Sequence, residues 1–398
     1  MSSDAVPRPA DALKTRVVRR RLLKAGAVAG AATALGVGSP ALAGAVAPAP
    51  LRAAPNAASP PAEQEPERII VSANPLNAET PLWALEGLMT PTRIFFIRDH
   101  FAPGPLAPTD WQVRVEGVVE EPFTLTYDML RRYPPRRLVA LLECAGNSRS
   151  RFQPPAEGGQ WGNGGVSVAE WIGVPLSFVL DLAGVKPEAQ NVVVYGGERG
   201  NFARGLPMGK AYDPDTVLAY AMNGEPLPAA HGAPVRLVVP GWIGVASVKW
   251  IGRIEIIDRP YEGFYKTQRY VFERPGVEEK TPVVLQGVKS AIARPRPGET
   301  LKLGLQMISG YAWSGSGPIT EVEVTVDNWQ TSMPARLIQS EHRWAWTRFE
   351  ANWDGPSGRY TLASRATDSA GNVQPEQVEW NRFGYGMNAI YSFGILVA

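Results

Sequence analysis

Glycine and proline set the limits on what this chain can become, at 40 and 37 of its 398 residues. Proline lacks a backbone donor and clashes with the preceding helical turn. Glycine costs about 1 kcal/mol in a helix interior. Scattered as they are, they break up the long periodic runs a helical bundle needs and favour turn-rich, β-rich architecture with short helices. The length suggests two or three domains, and 12 tryptophans with 12 tyrosines supply ample material for a core.

Charge is placed unevenly. Seven of the 40 basic residues and two of the 38 acids lie in 1–43, so the remaining chain holds 33 bases against 36 acids. A generic nucleic-acid footprint is therefore not expected, and any anion chemistry must come from locally gathered arginines. Arg19-Arg20-Arg21-Leu22-Leu23-Lys24 precedes a weakly apolar Ala/Gly stretch at 25–47 that contains Ala41-Leu42-Ala43. This resembles a twin-arginine export leader with an A-x-A cleavage site, the other reading being an N-terminal membrane anchor. The expected organisation is a leader at 1–43, a Pro/Ala-rich linker at 44–67, a first domain at 68–278 and a second at 279–398. The expected location is the periplasm, reached by a folded protein.

Along the first domain, strands are expected at 94–97, 111–119, 137–142, 191–195, 216–222, 235–239 and 248–257. Short helices are expected near 126–130, 168–171 and 176–182. Asn223-Gly224 signals a hairpin. From about residue 282 the pattern becomes successive short strands at 301–307, 320–327, 344–350 and 359–367, with a turn at 368–372, as in a β-sandwich.

Cys144 is the only cysteine, in Leu-Leu-Glu-Cys-Ala-Gly-Asn-Ser-Arg, so no internal disulfide can form. In an exported protein a thiol needs a reason to survive, and a metal bond through its thiolate supplies one. The competing reading is a small buried hydrophobe. The three histidines, His100, His231 and His342, are far apart. There is no Cys-x-x-Cys-His for c-type haem, no zinc spacing, no phosphate loop and no Gly-x-Ser-x-Gly. A cysteine hydrolase using Cys144 and a distant histidine stays open on residue type alone.

An ordered set of segments is more specific. It runs Phe-Phe-Ile-Arg98-Asp-His100, Cys144-Ala-Gly-Asn-Ser-Arg149, Gly-Gly-Gln-Trp161, Ala-Tyr-Ala-Met-Asn-Gly-Glu-Pro-Leu-Pro and His231-Gly-Ala-Pro-Val-Arg236. It continues with Val-Pro-Gly-Trp-Ile-Gly, Val-Lys249-Trp-Ile-Gly, Gly310-Tyr-Ala-Trp-Ser-Gly, Asn372-Val-Gln-Pro and Trp380-Asn-Arg382. In order and spacing these resemble the sulfite oxidase family of molybdenum-pterin enzymes, from about residue 90 to the end.

The resemblance implies an α+β, β-rich fold: a molybdopterin-binding catalytic domain followed by an immunoglobulin-like dimerisation domain, in a homodimer. It implies Cys144 as the molybdenum ligand and Arg98, Arg149 and Arg382 as a clamp for a small oxyanion, with Tyr270 and Trp161 in the substrate pocket. It further implies His100, His231, Arg236, Ser247 and Lys249 around the pterin and its phosphate. The chain departs from the vertebrate pattern at Asp99 (Asn there), Ser148 (Arg), Arg269 (Asp) and Ala246-Ser247 (Arg-His). These changes leave the ligand and clamp in place and alter the phosphate contacts.

The implied reaction is oxidation of sulfite to sulfate on the molybdenum cofactor. No haem is expected in this chain, so electrons would pass to an external acceptor such as cytochrome c. The alternatives are reduction of nitrate or of S- and N-oxides on the same scaffold, and a non-enzymatic periplasmic module that binds anions or the cofactor.

Overall fold

The computed structural model describes residues 66–101, 107–197 and 202–398. The expected leader at 1–43 and all but the last two residues of the linker at 44–67 lie outside them. Two sheets organise the first half. Arg136–Glu143, Val166–Pro175 and Val217–Met222 pair antiparallel, with Glu225–Pro226 and Arg236–Val238 joined to the last of these. The other sheet runs Phe123–Thr126, Gln112–Gly117, Ile251–Ile257, Asn191–Gly196 and Ala203–Pro207, with its second and third strands parallel. A shared core that includes Val113, Val192, Leu218, Leu237 and Ile254 packs between them.

Local signals behave as their chemistry demands. Thr126 caps the helix Tyr127–Arg132, its hydroxyl accepting from the Met129 amide at 3.2 Å. Asn223 and Gly224 both take positive φ, 51° and 82°, and turn the chain into a hairpin. The helix Leu176–Ala183 forms where expected. The helix expected at 168–171 does not: these residues lie inside the strand Val166–Pro175. That strand is paired on both edges and mostly buried, so it reads as a continuous apolar run, which periodicity cannot separate from a buried helix. The strand expected at 94–97 is also shortened, to a 3₁₀ turn Thr92–Ile94 followed by Ile97–Arg98.

The second half is a β-sandwich. One sheet holds Lys289–Arg294, Gly304–Trp313, Thr347–Gly355 and Arg336–Ile338. The other holds Thr300–Leu301, Phe393–Val397, Gly358–Asp368, Ile319–Thr325 and Met333–Pro334. Ile308, Val322, Phe349 and Leu362 fill the space between them. Asp368 ties the turn after its strand by accepting from the amides of Ala370 and Asn372 at 3.0 and 2.9 Å.

The two halves share a core. Val139, Leu141, Val166 and Val168 of the first pack on Ala291, Tyr311, Trp313 and Trp346 of the second. Each large side chain buried this way is worth about 1.5–3 kcal/mol. Strand Arg136–Glu143 would otherwise be an open sheet edge; the Leu141 amide donates to the Trp344 carbonyl at 2.8 Å, which covers it. That strand ends directly at Cys144, so the element delivering the thiol is held from both sides.

Candidate active site

The chain after Arg136–Glu143 turns sharply. Gly146 sits so close to Arg149 that a Cβ there would lie 2.5 Å from Nη2. Ser148 has φ +68°. Tyr270 and Trp250 share this left-handed conformation, at +55° and +50°. Side chains of this size are rarely held there, and such positions cluster at functional sites.

Two adjoining cavities meet at Arg98, Asp99, His100 and Tyr270, which line both. The inner one is lined further by Cys144, His231, Arg236, Ser247 and Lys249. The outer is a cleft of about 520 Å³ with Arg149, Trp161, Arg269, Tyr385 and Glu157 on its walls. Ten of the eleven residues singled out in the sequence thus fall on one continuous recess.

Arg382 does not. Its guanidinium is half exposed and donates to Glu157 at 2.7 Å and to Glu273 at 3.0 Å. Two carboxylates satisfy it, Glu157 at the cleft wall and Glu273 beyond it, and Arg269 lines the cleft instead, its guanidinium 4.4 Å from the centre of the Phe383 ring. Arg269 stood out in the sequence only as a departure from the family pattern. Tyr385 and Asn77, also on the wall, carried no sequence signal.

Arg149 is buried. Its Nε donates to the Phe383 carbonyl at 2.7 Å and Nη1 to the Gly159 carbonyl at 2.8 Å. It therefore ties together the cysteine loop, the glycine-rich loop and a segment of the second half. Arg98 contacts the Asp99 carbonyl and the Asn77 side chain. Burial works against its charge, but Tyr270, Cys144, Tyr385 and Asp99 outweigh that and hold its pKa above the ordinary value.

Tyr270 Oη and His100 Nε2 share a hydrogen bond of 2.7 Å, and the Tyr270 ring stacks on Tyr385 with centroids 5.0 Å apart. Burial raises the Tyr270 pKa, so the phenol keeps its proton.

The inner chamber differs from a simple cationic cradle. Burial, then the charges of Arg98 and Lys249, push the His100 pKa down to about 2. Burial, with Lys249, Arg236 and Arg68, holds His231 well below its usual range. Both imidazoles are neutral near pH 7. Lys249 Nζ lies 2.5 Å from the buried Asp99 carboxylate and donates to the Ala230 carbonyl at 2.6 Å. The buried Asp99 therefore compensates the lysine. Arg236 donates to the carbonyls of His231 and Ser247 at 2.9 and 3.0 Å.

These histidines make stability sensitive to acid. Unfolded, each takes a proton near pH 6.5; folded, each refuses it far below that. Their cost is absent above pH 6.5 and grows by about 1.4 kcal/mol per histidine per pH unit below it. Urea unfolding of the full chain at pH 7.5 and 5.0 is expected to show a loss of about 2 kcal/mol from His100, with His231 adding to it in the same direction. His100→Asn should remove its share, and His231→Asn should lower the acid slope further. An unchanged acid slope in the double variant would contradict the assignment.

A pterin-borne metal fits this recess. His231 Nε2 is buried without a hydrogen-bond partner, and the chamber it lines presents a thiol, a hydroxyl and cationic donors together. A buried polar atom of this kind calls for a ligand. Among the described residues no group of three His, Cys, Asp or Glu side chains is placed to hold a metal alone. A metal at Cys144 therefore needs the rest of its coordination from a cofactor.

Comparison with known proteins agrees with this geometry. Residues 100–265 match the oxidoreductase molybdopterin binding domain, and residues 282–397 match the Mo-co oxidoreductase dimerisation domain. Mitochondrial sulfite oxidase of Homo sapiens is 35% identical over 365 residues, covering 84% of this chain and 67% of that protein. Sulfite oxidase of Arabidopsis thaliana is 34% identical over 368 residues, covering 81% and 93%. The crystal structure of the sulfane dehydrogenase SoxCD from Paracoccus pantotrophus superposes with a TM-score of 0.76 at 34% identity, covering 82% of this chain and 87% of that one. Fold, recess and matches define a molybdopterin oxidoreductase with a molybdopterin-binding domain followed by a dimerisation domain. Within that class, the chain belongs to the sulfite oxidase family.

Proposed function

We propose that this enzyme oxidises sulfite to sulfate in the periplasm and passes the electrons to an external acceptor such as cytochrome c. One observation carries the reading: a buried thiol and an arginine-lined cleft open onto one recess, joined through Arg98. The balance is one sulfite and one water giving sulfate, two protons and two electrons. Molybdenum held by molybdopterin and Cys144 supplies oxygen-atom transfer and a two-electron store when bound.

The chain's own residues do the rest. Arg98, Arg149 and Arg269 present forked donors whose charge does not titrate away, suited to a small dianion. Arg149 and Trp161, held by packing and backbone carbonyls, orient that anion without reorganising. Tyr270 and His100 form a hydrogen-bonded pair at the meeting of the two cavities, where the phenol, kept protonated by burial, can donate to the bound anion. His231, Arg236, Ser247 and Lys249 would hold the pterin side. The dimerisation domain supports assembly as a homodimer. Periplasmic export rests on the paired Arg19-Arg20 and the Ala41-Leu42-Ala43 site.

The likeness to a sulfane dehydrogenase favours a second reading, oxidation of a sulfane sulfur carried on a thiol. The test is a screen of cofactor-loaded enzyme. Sulfite and a persulfide are offered with ferricyanide or oxidised cytochrome c, and nitrate with a reduced dye. Sulfite-dependent reduction of cytochrome c supports the proposal. Turnover of the persulfide alone moves the substrate to the second reading, turnover of nitrate alone refutes both, and no turnover with full molybdenum content points to a binding module.

A further inference from the structure

A buried lysine from the second half of the chain sits against the cysteine loop and lines neither of the two cavities. Lys289 is 2% exposed. Its Nζ donates to Ser148 Oγ at 2.8 Å and to the Met387 carbonyl at 2.8 Å, and lies 3.6 Å from the Glu143 carboxylate. Glu143, itself buried, also accepts from Asn147 Nδ2 and from Trp313 Nε1, each at 2.9 Å. Glu143 directly precedes Cys144, while Asn147 and Ser148 follow it by three and four positions. One ammonium and one carboxylate therefore brace the loop on both sides of the thiol.

A purely mechanical brace has no need of charge. Burying an ammonium and a carboxylate costs several kcal/mol each, and apolar side chains of similar volume often hold such a position as well or better. The charge has a target nearby. Burial pushes the Lys289 pKa down to about 8, and Glu143 and Cys144 are among the groups that pull it back up. Inside a protein such fields are weakly screened, and groups just behind a metal ligand tune the metal it holds.

We propose that Lys289 and Glu143 are positioning residues that fix the Cys144 loop and set the reduction potential of the metal bound there. This rests on the reading that Cys144 ligates molybdenum. A positive charge behind the sulfur favours the electron-rich state of the site, and a negative one disfavours it. The second half of the chain thus acts on the redox centre as well as on assembly.

The test is a double-mutant cycle on cofactor-loaded full-length enzyme, read by mediated redox titration of the metal and by molybdenum content. Lys289→Met is expected to move the midpoint potential down and Glu143→Gln to move it up, with the double variant lying between them. Lys289→Arg, which keeps the charge, should stay near the wild-type value. If both single variants retain metal and their potentials do not move, or move in the same direction, the proposal is overturned. Should Lys289→Met not fold, Glu143→Gln and the double variant decide: the first must rise and the second must fall below it, and any other order overturns the proposal. Failure of the ligand reading is distinct: it shows as Cys144→Ser keeping its molybdenum with an absorption spectrum identical to wild type, dithiolene and cysteine sulfur bands alike.

Discussion

Replacing Cys144 with serine is expected to reduce sulfite oxidation by at least about a thousandfold, equal to about 4 kcal/mol of lost transition-state stabilisation. The two side chains are close in size, and the thiol sits at a strand end in a loop fixed by its own backbone: the Cys144 amide donates to the Gly165 carbonyl at 2.8 Å. The fold should survive, with thermal stability changed by less than about 1 kcal/mol. The chemistry should not. A soft, readily ionised sulfur is exchanged for a hydroxyl that stays protonated near neutral pH and is a poor donor to a thiolate-rich metal. The measurement is steady-state turnover with ferricyanide alongside metal analysis and a melting curve. Turnover within tenfold of wild type would refute the ligand role.

The second large effect separates two arginines that the sequence treats alike. Arg149→Gln is expected to lower kcat/KM for sulfite by about 100–1,000-fold, because charge-assisted hydrogen bonds are worth about 1.5–3 kcal/mol each and the anion loses a fixed positive wall. Stability should fall too, since the carbonyls of Phe383 and Gly159 lose their donor in a buried place. Arg382→Gln is expected to change kcat/KM by less than about tenfold, its charge being spent on Glu157 and Glu273 at an exposed site. Sulfite kinetics of both variants at one ionic strength give the comparison. A larger loss from Arg382 than from Arg149 would reverse the assignment and mean that Arg382 leaves its carboxylates to meet the substrate.

The contrast shows how far the residues alone could be read. The motif order singled out the glycine turns and ten residues that line one recess, the thiol among them, because each motif is a short stretch whose backbone conformation is set locally. Arg382 resisted because its direction depends on Glu157, some 225 positions earlier, and on Glu273. Arg269 was visible only as a departure, and it lines the cleft wall next to the left-handed backbone at Tyr270. The expected cationic cradle became a compensated one for a similar reason: Asp99 and Lys249 are 150 positions apart, and nothing in either neighbourhood announces the pairing. The strand through 168–171 was misread because burial on both faces erases alternation. Lys289 belongs to none of the motifs, and the hydroxyl that its ammonium meets is 141 positions earlier.

The last segments of the chain complete the first domain's chemistry. Phe383 receives Arg149, the Gly386 amide donates to the Ala145 carbonyl at 3.0 Å, and Met387 receives Lys289. During synthesis Phe383 is added 234 residues after Arg149, so these supports reach the loop long after the loop itself has been made. A nascent chain can fold its early sheets, yet the loop around the thiol lacks these three contacts until residues 383–387 emerge. A chain cut just before residue 383 is expected to keep its early sheets and to lose molybdenum content.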